Sequence, residues 1–211
     1  MSRLKWNEEG SRFYETGVDH GVFFPPGGYG TVWNGLISIT QSPESELETF
    51  YIDGVAFMIV PSGEQFGGTI ESYTDPAGFS HYDGYGQAGT GLFIGQQPRR
   101  SFGMAYRSYL GDDIKGIARG HKIHLIYNVM TLPSERVYKT LGDEMEPVIL
   151  SREFKTVPVL IPNFAPTANV VIDNSHLEFQ KAVENLIYGT AEAPPTLPTP
   201  EDLISLRASF A

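Results

Sequence analysis

The chain has 211 residues, 41% apolar and 19% charged, which is enough to bury a core in one large domain or two small ones. It contains no cysteine, which excludes a disulfide framework and a thiolate metal site. No apolar run approaches the roughly 20 residues of a membrane span, and the N-terminus lacks the apolar core of a signal peptide, so we expect folding in a cytoplasm without a membrane.

The formal net charge is −10, and it is unevenly distributed. Residues 13–98 contain ten acidic residues but no lysine or arginine. This pattern suggests an anionic face, although a solubilising surface is the alternative. Such a face does not bind nucleic acid, because that affinity comes from lysine and arginine neutralising phosphates. Cations resume at Arg99 and Arg100, which we interpret as an ion-pairing or interface site, or equally as solvated surface.

In chain order, residues 1–31 are predicted to be an irregular N-terminal arm, and residues 32–40 form the first predicted strand. Two β-prone runs joined by Asp53 and Gly54 predict a type I′ hairpin, because both turn residues need positive φ. Residues 64–74 predict a further strand, in which Gly67 and Gly68 mark a bulge or a close backbone approach.

Residues 75–98 form a glycine-rich, aromatic segment that is too apolar for a disordered loop. We predict a hairpin or arm that buries itself on another subunit, and that deletion of residues 79–94 leaves a folded but non-polymerising protein. Its predicted self-assembly residues, together with the two arginines that follow, are Phe79, Tyr82, Tyr85, Leu92, Phe93, Ile94, Arg99 and Arg100. The segment also spells G-x-G-x-x-G at residues 84–89, but no strand precedes it and no helix is predicted after it, which argues against a nucleotide site.

Further strands are predicted at residues 101–110, 121–130, 147–159 and 168–173, for about eight in all. Alternation places Phe102, Met104 and Tyr106 on one face of their strand. In the strand after it, the residues predicted to share a face are Ile123, Leu125, Tyr127 and Val129. The acidic pairs Asp112–Asp113 and Asp143–Glu144 lie beside glycines and are predicted to be turn residues.

An apolar stripe from Phe179 to Ile187 predicts a helix, with Ser175 and Glu178 as a capping box and Gly189 as its end. Thr199 and Pro200 predict the start of a second, short helix. The predicted architecture is mainly β and sandwich- or barrel-like, with one flanking helix. A domain over 1–190 is followed by a movable proline-rich linker and short helix over 191–211.

No catalytic residue, cofactor or metal site can be assigned from the sequence. His121 and His124 lie three positions apart on a strand and therefore point to opposite faces. No nucleophile-elbow or P-loop motif is present. The tyrosines could stack on sugars, which leaves a carbohydrate- or receptor-binding module open, although core and interface tyrosines are the more common case.

Several segments, in order along nearly the whole chain, resemble the tail tube (major tail) proteins of long non-contractile-tailed phages that infect actinobacteria. They are RFYETGVDHGVFFP (12–25), VWNGLISITQSP (32–43), FYIDG (50–54), QQPRRSFGMAYRSYLGDD (96–113), KIHLIYN (122–128), SERVYKTLGD (134–143) and LIYGTAEAPPTLPTPEDLI (186–204). No single motif is diagnostic of a mechanism; their number and order carry the resemblance.

The resemblance implies a structural virion protein that forms hexameric rings, stacked into a tube whose strands join in one barrel around a lumen. Its partners would be copies of itself, the tape measure protein and tail-end ring proteins, with DNA as an unbound passenger. Such a protein is assembled in the host cytoplasm and resides in the virion tail. Because an acidic lining repels DNA, we expect Glu48 and Glu71 to face the lumen. A distal tail adaptor or a tail terminator, which form one ring and stop, is the nearest alternative.

Overall fold

A computed structural model describes residues 4–140 and 146–210; the predicted turn residues Asp143 and Glu144 lie outside these ranges. The strands are β1 (Phe13–Phe24), β2 (Thr31–Trp33), β3 (Leu36–Gln41), β4 (Leu47–Ile52), β5 (Val55–Pro61), β6 (Gly67–Ser72), β7 (Gly86–Gly89), β8 (Leu92–Ile94), β9 (Phe102–Asp112), β10 (Gly116–Thr131), β11 (Leu150–Thr156), β12 (Val159–Ile161), β13 (Phe164–Thr167) and β14 (Asn169–Ile172). The helices are α1 (Leu177–Tyr188) and α2 (Pro200–Ala208), with one 3-10 turn at Phe79–His81.

The main sheet has eight antiparallel strands. Seven of them follow the order β2-β1-β9-β10-β11-β6-β3, and the eighth, β14, pairs with β10 next to β11. Its end strands β2 and β3 are joined through Asn34 and Gly35 alone, so the sheet curls towards closure. Leu36 of β3 packs against Gly21 of β1, where a Cβ on the glycine would lie 2.3 Å from a leucine methyl. With 47% strand and 12% helix, the predicted mainly β class is confirmed.

The first strand lies within the segment predicted to be irregular. β1 pairs with β9 from Phe13 opposite Asp112 to Phe24 opposite Gly103, so residues 13–24 belong to the sheet and are not part of a free arm. Two register shifts, near Gly17 and His20, break its alternation, and both residues have positive φ (69° and 48°). The bulges hide the two-residue period from which a strand is recognised.

Two apolar clusters lie on opposite faces of the sheet. Phe102, Met104 and Tyr106 share one face, as predicted, and belong to the cluster inside the curl, whereas Ile123 and Leu125 lie under the helices. The prediction for Val129 is wrong: a register shift at Asn128 (φ 48°) moves it into the cluster inside the curl.

The helices pack as an outer layer on this sheet. The N-cap of α1 is His176, which accepts the N–H of Phe179, so the capping box predicted at Ser175 is wrong. Gly189 ends the helix at φ 76°, as predicted. For α2 the structure confirms Thr199 as the N-cap and Pro200 in the first turn.

The C-terminal segment packs on the domain and does not hang from a movable linker. Leu203 of α2 is 4% exposed and joins the cluster under the helices. The hydroxyl of Tyr127 donates a hydrogen bond to the backbone carbonyl of Pro198 at 2.9 Å. The backbone N–H of Gly30 donates to the backbone carbonyl of Pro195, also at 2.9 Å. The linker therefore covers the sheet as an extended strap. No helix among residues 4–140 and 146–210 has the length and apolarity to cross a membrane.

Candidate self-assembly surfaces

The predicted hairpin at Asp53 and Gly54 is confirmed, with φ values of 52° and 79° at the two turn residues. Its strands, β4 and β5, form a separate two-stranded sheet. They continue the β3–β6 pair beyond a bridge between Glu44 and Gln65, so the hairpin extends out of the main sheet. We call Leu47–Pro61 the projecting hairpin.

The projecting hairpin is exposed along its whole length. Every residue from 42 to 65 is exposed except Thr49, which is half-buried. Its large exposed apolar side chains are Leu47, Phe50, Tyr51, Ile52, Val55, Phe57, Met58, Ile59 and Val60. Taking about 200 Å² for a large side chain, they present roughly 1,000 Å², above the ~300–600 Å² of the largest patch on a typical monomer and close to the ~800 Å² that one partner buries in a standard interface.

Both faces of the projecting hairpin are apolar. On one face, Leu47 lies two positions from Thr49, and Thr49 is paired with Ile59 on the other strand. On the opposite face, Phe50 is paired with Met58. A hairpin with one covered face alternates apolar and polar residues, but this one does not. Both apolar faces of the hairpin are therefore open to contact, and the unpaired backbone groups along its two edges can accept a further strand.

The hairpin and its base carry only negative charge. Glu44, Glu46, Glu48, Asp53 and Glu64 lie within residues 42–65, which contain no cation. Glu48 is exposed and lies opposite Val60. Mutual repulsion opposes bare hairpin-to-hairpin stacking, so a surface with positive charge is the better complement.

We call residues 75–98 the aromatic arm. This segment packs against the core of its own subunit. Phe79 is fully buried, and its ring packs 4.9 Å from Trp33 and 5.4 Å from Phe23. Tyr82 packs edge-on against Phe23 at 5.1 Å. The prediction that Phe79 contacts a neighbouring subunit is therefore wrong, and Tyr82 also serves mainly the internal core. Both rings pack into the apolar cluster inside the curl of the sheet.

A group of charged residues, which we call the arginine cluster, is centred on the buried Arg152 and Asp83 and fastens the aromatic arm. It comprises Arg99, Arg136, Arg152, Asp75 and Asp83. Arg152 is 1% exposed and donates from Nε to Asp83 and from Nη2 to Asp75, each at 2.8 Å. Arg136 also donates to Asp83. Burial raises the pKa of Asp75, against the lowering effect of Arg152.

The arginine cluster has more donors than the two aspartates can accept. Arg99 lies 3.8 Å from Asp83, and its Nε is buried without a hydrogen-bond partner, as is Nη1 of Arg152. Arg100 beside it is exposed and makes no ion pair within the described ranges. This end of the arm therefore carries surplus positive charge. Arg99 has the predicted ion pair, whereas Arg100 lies at the surface, where an interface role stays a prediction.

The remaining predicted assembly residues lie at the surface. Leu92, Phe93 and Ile94 of β8 are 58%, 49% and 50% exposed, and form with β7 a small separate hairpin. Tyr85 is half-buried beneath Arg136, whose guanidinium lies 5.5 Å from its ring. The three β8 side chains are free to contact another molecule, and their role in assembly stays a prediction. β8, and no helix, follows the G-x-G-x-x-G motif, so the context of a nucleotide site is missing.

Glu71 lies on the polar outer face of the main sheet. Its neighbour Ile70 is fully buried, so Glu71 points away from the core. Ser38 of β3 donates to its carboxylate at 2.8 Å, and Ser151 of β11 lies opposite on the other side. Residues 133–140 and 146–149 border the same face and enclose with it a groove of about 1,150 Å³.

The histidines serve separate networks. His121 bonds to Glu184 of α1 at 2.8 Å, while His124 stacks on Tyr106 at 4.6 Å inside the curl. Ser108 and Glu15 both approach the same atom, Nε2 of His124, whereas a catalytic triad needs the acid on the other ring nitrogen. Within the part of the chain that the structure describes, no group of three or more candidate ligands could hold a metal ion.

The sequence predicts the projecting hairpin but not the exposure of both of its faces. The signal was available in the run VAFMIV (55–60), where apolar residues occupy consecutive positions and both faces are therefore apolar. A central strand that is buried on both faces has the same continuous apolar sequence, so the run alone does not distinguish the two cases. A scan against protein-family models finds no match to the chain, and a search of curated proteins finds none either.

Proposed function

We propose that the protein is a structural subunit that polymerises with copies of itself, as the tail tube protein of a long non-contractile-tailed phage. In this role the subunits form hexameric rings, the rings stack, and genomic DNA passes through the lumen at ejection. The tube also contacts the tape measure protein and the ring proteins at its ends. The sequence resemblance motivates the specific identity.

The projecting hairpin is the observation that carries the proposal. A monomer that exposes roughly 1,000 Å² of apolar side chains on a two-stranded hairpin with two free outer edges is prone to association. Permanent interfaces bury about 2,000 Å² or more in total, so each hairpin supplies a large part of one. Closed ring contacts remove such free strand edges, and contacts between unlike surfaces can repeat along an axis.

The charge distribution supports passage of DNA without binding. Duplex DNA carries one negative charge per ~1.7 Å of its axis, and a basic lining would retain it. Glu71, on the polar outer face of the sheet, is a better candidate for the lumen wall than Glu48, whose neighbours on the hairpin face are Phe50 and Met58.

Negative-stain electron microscopy of the purified protein tests the proposal. We expect tubes of constant width. Single rings that do not stack would favour a distal adaptor or tail terminator. Monomers with accessible tyrosines that bind sugar would favour a carbohydrate- or receptor-binding module and would contradict the proposal.

A further inference from the structure

The projecting hairpin and the aromatic arm leave the main sheet at opposite ends. The hairpin departs where Gln41 of β3 faces Gly68 of β6. The arm departs after Ser72, which faces Leu36 at the far end of the same pair. Each copy therefore presents one surface at one end and a different surface at the other.

The two surfaces are complementary in polarity and charge. The hairpin combines apolar side chains with Glu46, Glu48 and Asp53 and has no cation. The arm end combines the exposed Leu92–Ile94 strand with the exposed cation Arg100. An apolar contact bordered by opposite charges favours one orientation over its alternatives.

We propose that the projecting hairpin of one copy docks on the aromatic arm of the next, with hairpin carboxylates meeting the arginine end of the arm. The partner is thus a second copy of this chain, bound head to tail. This docking rests on the proposed function, because it specifies which surfaces join the subunits. A contact between unlike surfaces leaves a free hairpin at one end and a free arm at the other, so it can propagate along the tube axis.

Crosslinking between introduced cysteines tests the docking directly, because the chain contains none of its own. Asp53→Cys places a thiol at the hairpin turn, and Thr90→Cys places one at the exposed turn between β7 and β8. The two proteins are mixed, allowed to assemble and treated with a short bis-maleimide. We expect a covalent dimer that contains one copy of each variant.

The matched control is Lys115→Cys, in the exposed turn between β9 and β10. It should give no dimer with Asp53→Cys. A dimer with this control in place of Thr90→Cys would overturn the docking. Tubes that form without the Asp53–Thr90 product would overturn the docking and leave the proposed function standing. Failure of the unmodified protein to assemble at all would overturn both.

A charge reversal provides the second measurement. Arg100→Glu should raise the protein concentration needed for half-maximal assembly about five- to tenfold at low salt, with less effect at high salt. Lys181→Glu, an exposed cation on α1, changes the net charge equally and should leave that concentration unchanged. Equal effects of the two reversals would show that only net charge matters and would contradict the docking.

Discussion

At the scale of single residues, Arg152 is a buried charge whose stability in the fold depends on its acidic partners. It is 1% exposed, contacts two aspartates and lies 5.1 Å from the Phe79 ring. A buried charge is tolerated only while its partners remain, since an unpaired charge keeps the desolvation cost without the Coulombic gain.

We therefore expect Arg152→Met to lower the free energy of unfolding by about 3–5 kcal/mol, because it leaves Asp75 and Asp83 under-compensated. Urea denaturation of the monomer measures this loss. Arg100→Met removes the same charge at an exposed site, and we expect a change within about 0.5 kcal/mol. Similar stabilities for the two variants would mean that the arginine cluster does not hold the aromatic arm.

Asp19 links stability to pH. Burial alone would raise the pKa of its carboxyl, but hydrogen bonds from Arg107 and Tyr109 lower it well below the usual range. Because the folded pKa lies below the unfolded value of about 3.9, the stabilisation is complete above that pH and is lost as the pH falls further.

Asp19→Asn should consequently destabilise the protein at about pH 5, while the difference from the unmodified protein shrinks towards about pH 2.5. Urea denaturation at both pH values measures that difference, and the subtraction removes the contributions of other acids. A constant difference across this range would argue against an ion pair between Asp19 and Arg107.

At the scale of elements, the projecting hairpin is structurally separate from the rest of the domain. The hairpin forms its own sheet, and its side chains are exposed, so folding of the monomer does not depend on them. Mutations there should leave stability unchanged while altering assembly, which separates the two properties in one experiment.

The two apolar faces can be tested one at a time. We expect Leu47→Thr with Ile59→Thr, and separately Phe50→Thr with Met58→Thr, to prevent tube formation while unfolding free energies change by less than about 0.5 kcal/mol per site. Light scattering and denaturation report the two quantities. Val171→Thr, on an exposed site of β14, serves as the control. If either double variant still forms tubes, that face is not covered in the assembly.

Deletions in two different parts of the aromatic arm should have different effects on folding and assembly. Deletion of residues 79–94 removes Phe79 and Asp83, so we expect an unfolded protein and no longer a folded, non-polymerising one. Replacing residues 86–94 with a short glycine-serine link spares both and should give a folded subunit that does not assemble. Circular dichroism and electron microscopy distinguish these outcomes; normal tubes from the shorter deletion would show that β8 makes no essential contact.

At the scale of the whole molecule, the proposed tube function predicts that charge on the lumen wall sets the speed of DNA release. Glu71→Lys introduces a cation on the outer face of the sheet, and within the ~8 Å screening distance it would attract the phosphates. In phage particles that carry the substitution, we expect slower triggered DNA release from tails of normal length. Glu192→Lys, exposed beyond α1, changes the net charge equally and should release DNA at the normal rate. Equal rates for the two would place Glu71 outside the lumen.

Local chemistry accounts for the parts of the fold that the sequence determined by itself. The Asp53–Gly54 turn, the Thr199 cap and the alternation of Phe102, Met104 and Tyr106 depend on neighbours a few residues away. The same reasoning misplaced β1 because bulges at Gly17 and His20 obscured its period, and misplaced Val129 because of a bulge beside it.

Tertiary structure alone decided which apolar segment is covered and which remains free. In the sequence, the aromatic arm and the projecting hairpin are both apolar, yet Phe79 is buried and Phe57 is 67% exposed. Arg152 reaches Asp83 across 69 positions of chain, and such a contact has no local signature. A periodic pattern tells which side chains share a face, but what covers that face depends on segments that folding brings together from distant parts of the chain.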